Sequence, residues 1–203
     1  MQIIDADPTR MIDLPGVGPC PRPVDIDQGV TGFTVLKSLR IYRFRPGAVI
    51  EGESEIDEVF VLPVAGEIAL AIRGAHGLEA TLSPDGPARA AYMTPDHAYR
   101  LTPRSEALVA YARAAASGCV ASQAMDGAQS EGLAEHLAYA WHEVAAGDEI
   151  RLAGERETLC YLAEGTAVAD GARVQAGQTL ALKRGQAARV AAETRLRLLV
   201  VRA

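Results

Sequence analysis

Glycines and prolines divide the chain into runs of about ten residues, and this punctuation is the feature that most limits the available folds. The chain has 19 glycines and 11 prolines among its 203 residues. The runs between them are rich in Val, Ile, Leu, Tyr and Phe, as Val59–Val64 and Glu67–Arg73 illustrate. Short β-prone runs separated by turn residues are typical of antiparallel sandwiches and barrels. The pattern therefore predicts an all-β chain.

The two halves of the chain also resemble each other. The turn glycine Gly47 in RFRPGAVI matches Gly147 in EVAAGDEI, and Gly66 in EVFVLPVAGEIAL matches Gly165 in ETLCYLAEGTAVA. A fixed offset between matching turns is the signature of an internal repeat. We therefore predict two copies of one small β domain in a single chain.

A segment of different composition separates the copies, because the sequence from residue 114 to 137 is small, polar and poor in β-branched residues. We interpret it as a linker with a short helix near Ser130–Ala138, since Ser130 is a suitable helix N-cap. The predicted organisation is an N-terminal arm, a first barrel, the linker and a second barrel, at residues 1–24, 25–115, 116–137 and 138–203.

Composition excludes several classes of partner. The formal net charge is −6 and the isoelectric point is near 5.3, the wrong sign for a protein that binds phosphate backbones, so no nucleic-acid partner is expected. The N-terminus lacks the layout of a signal peptide, and no apolar run is long enough to cross a membrane. Three cysteines without C-x-x-C spacing indicate reduced thiols. A cytoplasmic protein without a membrane partner is predicted.

The order of motifs narrows the fold further. The first copy has a Pro46-Gly47 turn, an acidic stretch, the run EVFVL beginning at Glu58, a Gly66-Glu67 turn and then YMTPDHAYRL. This order resembles the cupin superfamily, whose motifs are G-x5-H-x-H-x3-4-E-x6-G and G-x5-P-x-G-x2-H-x3-N. The resemblance implies two cupin-like jelly-roll β-barrels in one chain, a degenerate bicupin. The opening barrel also resembles that of the uronate isomerase group, which includes 5-deoxy-glucuronate isomerase.

The resemblance implies a divalent metal in each barrel, but the histidines that would hold it are largely missing. In the first copy the paired histidines fall on Glu53 and Glu55, or on Gly52 and Ser54 if Glu58 keeps the glutamate position of the motif. The histidine of the second motif falls on Tyr99, with His97 two residues earlier. In the second copy residues 147–157 contain no histidine. We therefore predict no cofactor and no metal site of the usual kind.

Five residues of the first copy are candidates for ligand contact: Glu53, Glu55, Glu58, His97 and Tyr99. Glu53 and Glu55 lie two residues apart, as do His97 and Tyr99, so each pair shares one face of a strand. If both faces point into the barrel, carboxylates, an imidazole and a phenol converge there.

Three interpretations of this set remain open. The acidic stretch can be a solvated loop at the barrel rim, the set can act without metal as a general acid and base, or it can bind a hard metal through oxygens. The predicted function is binding of a small polar metabolite, or an accessory role. The alternative is an isomerase or lyase acting on a carbohydrate-like or carboxylate substrate. A homodimer is also expected, in which the apolar arm MIDLPGVGP covers a neighbour's sheet edge.

Overall fold

The computed structural model describes residues 1–117, 120–130 and 132–203, and it is almost entirely β, with 58% strand and 2% helix. The prediction of an all-β chain is confirmed. The one helix of the described residues is a single turn, α1 (Gln28–Thr31), which Asp27 caps by accepting a hydrogen bond from the Val30 N–H. No helix in this described part of the chain is long and apolar enough to cross a membrane.

The N-terminal region forms three short strands, β1 (Gln2–Ile4), β2 (Met11–Leu14) and β3 (Gly18–Pro21). β2 and β3 pair as a hairpin. Its apolar side chains Ile12, Leu14, Val17 and Cys20 pack against the core of the first barrel. The apolar arm thus packs against its own chain, so it gives no argument for covering a neighbour's sheet edge. The homodimer remains a prediction.

The first barrel follows with nine strands: β4 (Val24–Asp27), β5 (Leu36–Phe44), β6 (Ile50–Glu53), β7 (Asp57–Ala65), β8 (Ile68–Arg73), β9 (Leu78–Leu82), β10 (Ala90–Met93), β11 (Ala98–Pro103) and β12 (Ala107–Ala115). Two linker strands come next, β13 (Gln123–Met125) and β14 (Gln129–Ser130). The short helix predicted near Ser130–Ala138 is wrong for the described residues, because Ser130 pairs with Tyr139 in a sheet and residues 132–136 form bends. Glu131, inside that predicted helix, lies outside the described residues.

The second barrel has eight strands: β15 (Ala138–Val144), β16 (Glu149–Ala153), β17 (Thr158–Glu164), β18 (Thr166–Ala169), β19 (Ala172–Gln175), β20 (Thr179–Leu182), β21 (Ala187–Ala192) and β22 (Leu196–Arg202). In each barrel a six-stranded sheet faces a four-stranded one. The sheets run β13-β10-β7-β12-β5-β4 and β6-β11-β8-β9 in the first barrel, and β1-β20-β17-β22-β15-β14 and β16-β21-β18-β19 in the second. The sheets do not close, so each barrel is a jelly-roll sandwich.

The matched turn glycines explain why the internal repeat can be recognised from the sequence. Gly66 and Gly165 both adopt positive φ, 77° and 90°. At each position a Cβ atom would collide with the backbone carbonyl of the facing loop, that of Glu106 or Arg195. Glycine alone tolerates the positive φ and has no Cβ atom to collide with the carbonyl, so both copies have glycine at this turn although the surrounding residues differ.

The barrels exchange strands and pack through their six-stranded sheets. β1, which precedes the first barrel, pairs with β20 of the second, and β13, which precedes the second barrel, pairs with β10 of the first. Between the sheets lies an inter-barrel core, in which the Phe60 and Tyr139 rings meet edge to face with centroids 5.1 Å apart. Each barrel has its own inner core as well.

Two buried glutamates complete this symmetry. Glu58 accepts hydrogen bonds from the backbone N–H groups of Glu135, His136 and Leu137, which lead into the second barrel. Glu157 accepts them from Thr34, Val35 and Leu36, which lead into the first. Each barrel therefore holds the entry segment of the other, and we call this pair of carboxylates the reciprocal clamp.

Candidate functional site

A small cavity lies inside the first barrel, between its two sheets. Its volume is ≈ 60 Å³. It is lined by Arg40, Tyr42, Glu53, Val59, Met93, Tyr99, Tyr111 and Arg113. Glu53 and Tyr99 also line an outer groove of ≈ 440 Å³, so the cavity and the groove share one wall.

Three tyrosines form the aromatic part of the wall. Tyr111 meets Tyr42 edge to face at 5.4 Å and Tyr99 at 5.9 Å between ring centroids. Tyr99 lies opposite Gly52 in the sheet register, and its ring covers the space where a side chain of Gly52 would stand. The absence of a side chain at Gly52 therefore leaves the space that the Tyr99 ring occupies.

Two of these phenols, Tyr99 and Tyr111, have a raised pKa. Burial raises the pKa of Tyr99, and the adjoining Tyr111 opposes that shift in part. Burial raises the pKa of Tyr111 well above its ordinary value, and Tyr99 adds to the shift. Tyr111 is only 7% exposed, and its hydroxyl has no hydrogen-bond partner of good geometry among the described atoms. The Tyr111 hydroxyl interacts with that of Tyr99, but without good hydrogen-bond geometry, so the cavity contains a buried hydroxyl whose hydrogen bonding is incomplete.

Arginines supply the other donors of the wall. Arg113 holds the rim, since its Nη2 donates to the backbone carbonyls of Glu53 at 2.6 Å and Ser54 at 2.9 Å. Its Nε lies 3.5 Å from Asp57 Oδ2 but makes no hydrogen bond. Arg40 donates from Nε to Asp25 Oδ1 at 3.2 Å.

Of the five residues that the sequence singled out, the cavity brings together only Glu53 and Tyr99. Glu55 lies in an exposed turn at φ 54°, and its carbonyl accepts a hydrogen bond from the Asp96 N–H. Glu58 faces the inter-barrel core as part of the reciprocal clamp. The expected convergence of both strand faces is therefore wrong for these two residues.

His97 is buried but lies in a loop contact at the rim. Its Nδ1 is 2.8 Å from the Pro95 carbonyl oxygen, so Nδ1 carries the proton, and its Nε2 accepts a hydrogen bond from the His76 N–H at 3.2 Å. A Cβ on Gly74, at φ 150°, would collide with the ring. Both ring nitrogens are occupied, so His97 organises this loop and does not join Tyr99 in the cavity.

The second barrel differs in its inner chemistry. Its inner core consists of Val, Leu and Ala side chains together with Cys160. Burial raises the pKa of the Cys160 thiol to about 12, so this sulfur stays a neutral thiol. Tyrosines and arginines therefore line a cavity in the first barrel, whereas in the second barrel His142, Thr158 and Arg202 share the strand face of this aliphatic core.

Solved structures identify the architecture. An IolB-like protein from Salmonella typhimurium has a TM-score of 0.75 at 14% identity, with 99% of this chain and 92% of that one covered. A bacterial pirin from Escherichia coli in complex with nickel(II) has a TM-score of 0.71 at 12% identity, covering 99% and 98%. A variant of Bacillus subtilis oxalate decarboxylase has a TM-score of 0.74 at 10% identity, covering 98% and 76%.

The chain has the cupin fold. Identities this low show the fold alone, and they do not single out the uronate isomerase group. No family model matches the sequence, and no curated protein is significantly similar to it.

The donor set of this cavity does not suit a divalent metal. Among residues 1–117, 120–130 and 132–203, no three His, Cys, Asp or Glu side chains come together in a group that can hold an ion. The cavity offers Arg40 and Arg113 instead, whose charge repels a cation. We derive no chemistry through a metal here.

Sequence reasoning missed the other four polar residues of the wall: Arg40, Tyr42, Tyr111 and Arg113. A signal for them exists, because Arg40 and Tyr42 share one parity in a long apolar strand, as do Tyr111 and Arg113 in another. Polar side chains at every second position of such strands indicate a polar interior.

Proposed function

We propose that this protein is a degenerate bicupin that binds a small polar metabolite in the cavity of its first barrel, as a cytoplasmic protein without nucleic-acid or membrane partners. The observation that carries the proposal is the cavity between the sheets of the first barrel. Tyrosine hydroxyls and guanidinium groups converge on its wall. A pocket with a few convergent polar groups is the usual form of a small-molecule site.

The incomplete hydrogen bonding of the Tyr111 hydroxyl supports binding over a purely structural role. A buried hydroxyl with poor hydrogen-bond geometry lowers stability, so a core that only had to pack would favour phenylalanine there. A ligand that accepts a hydrogen bond from Tyr111 removes that cost in the bound state.

An isomerase or lyase activity is not proposed. That alternative required carboxylate, imidazole and phenol groups in one cavity, and Glu55, Glu58 and His97 lie elsewhere. Glu53 and Tyr99 alone leave no second acid or base beside the carboxylate and the high-pKa phenol.

The test is a thermal-shift and calorimetric screen of sugar acids, hydroxy acids and polyols on wild type and Tyr111→Phe. We expect Tyr111→Phe to leave the unliganded protein as stable as wild type or more stable, and to weaken ligand binding about tenfold, the effect of one lost hydrogen bond of ~1.4 kcal/mol. Tyr161→Phe, which changes a phenol of the inter-barrel core, is the matched control. Binding that is equal in wild type and Tyr111→Phe, or absent from wild type, contradicts the proposal.

A further inference from the structure

Arg202 of the second barrel lacks the acid partner that its counterpart in the first barrel has. Arg113 and Arg202 lie on the last strands of their barrels, and each pairs in register with the residue that follows the reciprocal-clamp glutamate of its own barrel. The residue before that glutamate is Asp57 in the first barrel, and its carboxylate lies 3.5 Å from Arg113. In the second barrel the same position is Arg156. Among the residues that the structure describes, Arg202 therefore has no ion-pair partner.

The side chain of Arg202 is directed toward the inside of the second barrel. Leu198 and Val200 share its face of β22, and both belong to the inner core. Burial lowers the pKa of His142, and the charge of Arg202 lowers it further. Burial raises the pKa of the Cys160 thiol, and the charge of Arg202 opposes that rise. The guanidinium is thus a half-buried cation whose charge acts on the barrel interior.

His142 provides a second group whose hydrogen bonding is incomplete. It shares a face of β15 with Val144, a member of the inner core. Its Nε2 is buried and has no hydrogen-bond partner among the described atoms. Because its pKa is lowered, the imidazole is neutral at pH 7, and a neutral imidazole offers one donor and one acceptor.

An open pocket of ≈ 430 Å³ gives access to Arg202 from solvent. Its wall consists of Gly132, Ala138, Ala153, Glu155, Arg156 and Arg202. The two alanines contribute apolar surface, while Glu155 and Arg156 are exposed at the rim. Two guanidinium groups therefore face one carboxylate across a pocket whose volume lies in the range of about 300–1,000 Å³ that is typical of ligand sites.

We infer that this open end of the second barrel is a second binding site, which takes a small organic carboxylate held by Arg202. A planar guanidinium donates two parallel N–H groups to the two oxygens of a carboxylate. Arg156 adds attraction from the rim, and the methyl groups of Ala138 and Ala153 face the carbon skeleton. Sulfate and phosphate carry further oxygens, which one guanidinium would leave unpaired beside these methyl groups, so a carboxylate fits better. The inference is independent of the cavity in the first barrel.

Calorimetry with paired ligands tests the inference. The probes are the sodium salts of propionate, succinate and benzoate, their neutral amides propionamide, succinamide and benzamide, and the inorganic anions sulfate and phosphate. We expect the carboxylates to bind at least about tenfold more tightly than the amides, with affinity falling as ionic strength rises. Arg202→Gln should remove this difference. Arg151→Gln, which removes an exposed charge elsewhere on the same barrel, is the matched control and should preserve it.

NMR titration of the His142 ring reports on this end of the barrel in the wild-type protein. The chain has four histidines, so loss of one imidazole signal in His142→Gln assigns the residue. A carboxylate on Arg202 offsets the positive charge that lowers the pKa of His142. The pKa of His142 should therefore rise when the carboxylate is saturating and stay unchanged with the amide. This measurement needs no variant of Arg202, so it decides the matter even if Arg202→Gln does not fold.

Four outcomes would overturn the inference. Amides that bind as tightly as the carboxylates would exclude recognition of charge, and sulfate or phosphate binding more tightly than every carboxylate would favour an inorganic anion. Carboxylate binding that survives Arg202→Gln, or that leaves the pKa of His142 unchanged, would place the ligand elsewhere. Absence of binding in all arms would remove the second site. None of these results decides the proposal for the first barrel, which the Tyr111→Phe screen tests.

Discussion

Removal of the Glu157 carboxylate should destabilise the whole protein, because this side chain joins the two barrels. Glu157 is 7% exposed and accepts four hydrogen bonds from the segment that enters the first barrel. They come from the Thr34 N–H at 2.6 Å, the Thr34 hydroxyl at 2.9 Å, and the N–H groups of Val35 and Leu36 at 2.8 Å each. Replacing Glu157 with alanine leaves these donors without an acceptor.

The magnitude follows from which donors water can reach. Thr34 is exposed, so water replaces the carboxylate at its two donors. Leu36 is 1% exposed and Val35 is half-buried, so in Glu157→Ala their two N–H groups would have no acceptor. At about 1–3 kcal/mol for each of these two donors, Glu157→Ala should lower the free energy of unfolding by about 2–6 kcal/mol. That is a large part of the ~5–15 kcal/mol typical of a folded protein.

Urea unfolding measures this loss. Trp141, the only tryptophan, packs against the inter-barrel core, so its fluorescence reports on the junction that the reciprocal clamp holds. Far-ultraviolet circular dichroism follows both barrels in parallel. Glu157→Gln is the informative second variant, because the amide has one acceptor atom and turns an NH2 toward N–H donors. We therefore expect glutamine to destabilise as strongly as alanine, although it fills the same volume.

The exposed neighbour Glu155 provides the matched control, and Glu155→Ala should change the free energy of unfolding by less than ~0.5 kcal/mol. The reasoning is refuted if Glu157→Ala costs under ~1 kcal/mol, or if Glu157→Gln restores wild-type stability, since either result means that the carboxylate only fills space.

Four further predictions concern acid stability, the site, metal content and assembly. Burial raises the pKa of Glu157, but the hydrogen bonds from Thr34, Leu36 and Val35 outweigh burial and hold the pKa below the ordinary 4.5. The contribution of Glu157 to stability is therefore complete above pH 4.5 and is lost as pH falls through the lowered pKa. The stability difference between wild type and Glu157→Ala should therefore be constant from pH 5 to 7 and shrink in acid titrations, and a difference that grows in acid contradicts this. Gly52→Ala should displace the Tyr99 ring, whose hydroxyl would lie 2.7 Å from the new Cβ, and weaken ligand binding at least about tenfold; unchanged affinity in calorimetry would show that Tyr99 is not part of the site. Protein purified without a histidine tag should hold less than one equivalent of metal, and one equivalent of zinc, iron, nickel or manganese surviving dialysis against chelator would contradict the prediction. Sedimentation at micromolar concentration should give a homodimer, and a monomer there would end that expectation.

The fold could be predicted from sequence because its signals are local. Turn positions such as Gly66 and Gly165 require glycine because of their backbone geometry, and the strands are indicated by runs rich in Val, Ile, Leu, Tyr and Phe. The pairing of β1 with the second barrel and of β13 with the first could not be predicted, because a strand of three residues is too short for its sequence to indicate its partner. The helix near Ser130–Ala138 was predicted from a capping residue, but pairing of Ser130 with Tyr139 overrode that local preference.

The site was harder to predict because it joins residues that are distant in sequence. Arg40 and Tyr111 are direct partners on neighbouring strands, yet 71 positions separate them in the chain. The cupin motifs place ligands at the positions of Glu55 and Tyr99, and His97 was a candidate because it lies two residues before Tyr99. In this chain Glu55 and His97 have become loop contacts, and the polar groups lie on the long strands of the opposite sheet.

The outer face of the second barrel supports the first barrel. The six-stranded sheet of the first barrel presents Leu39, Ile41, Phe60 and Leu62 on the face away from the cavity, where they join the inter-barrel core and are less than 3% exposed. Exposing four such side chains would cost about 1.5–3 kcal/mol each, which is comparable to the whole stability of ~5–15 kcal/mol typical of a folded protein. Glu58 and Glu157 add polar contacts to that apolar junction. The sheet that carries Arg40 and Tyr111 therefore depends on the second barrel for its stability.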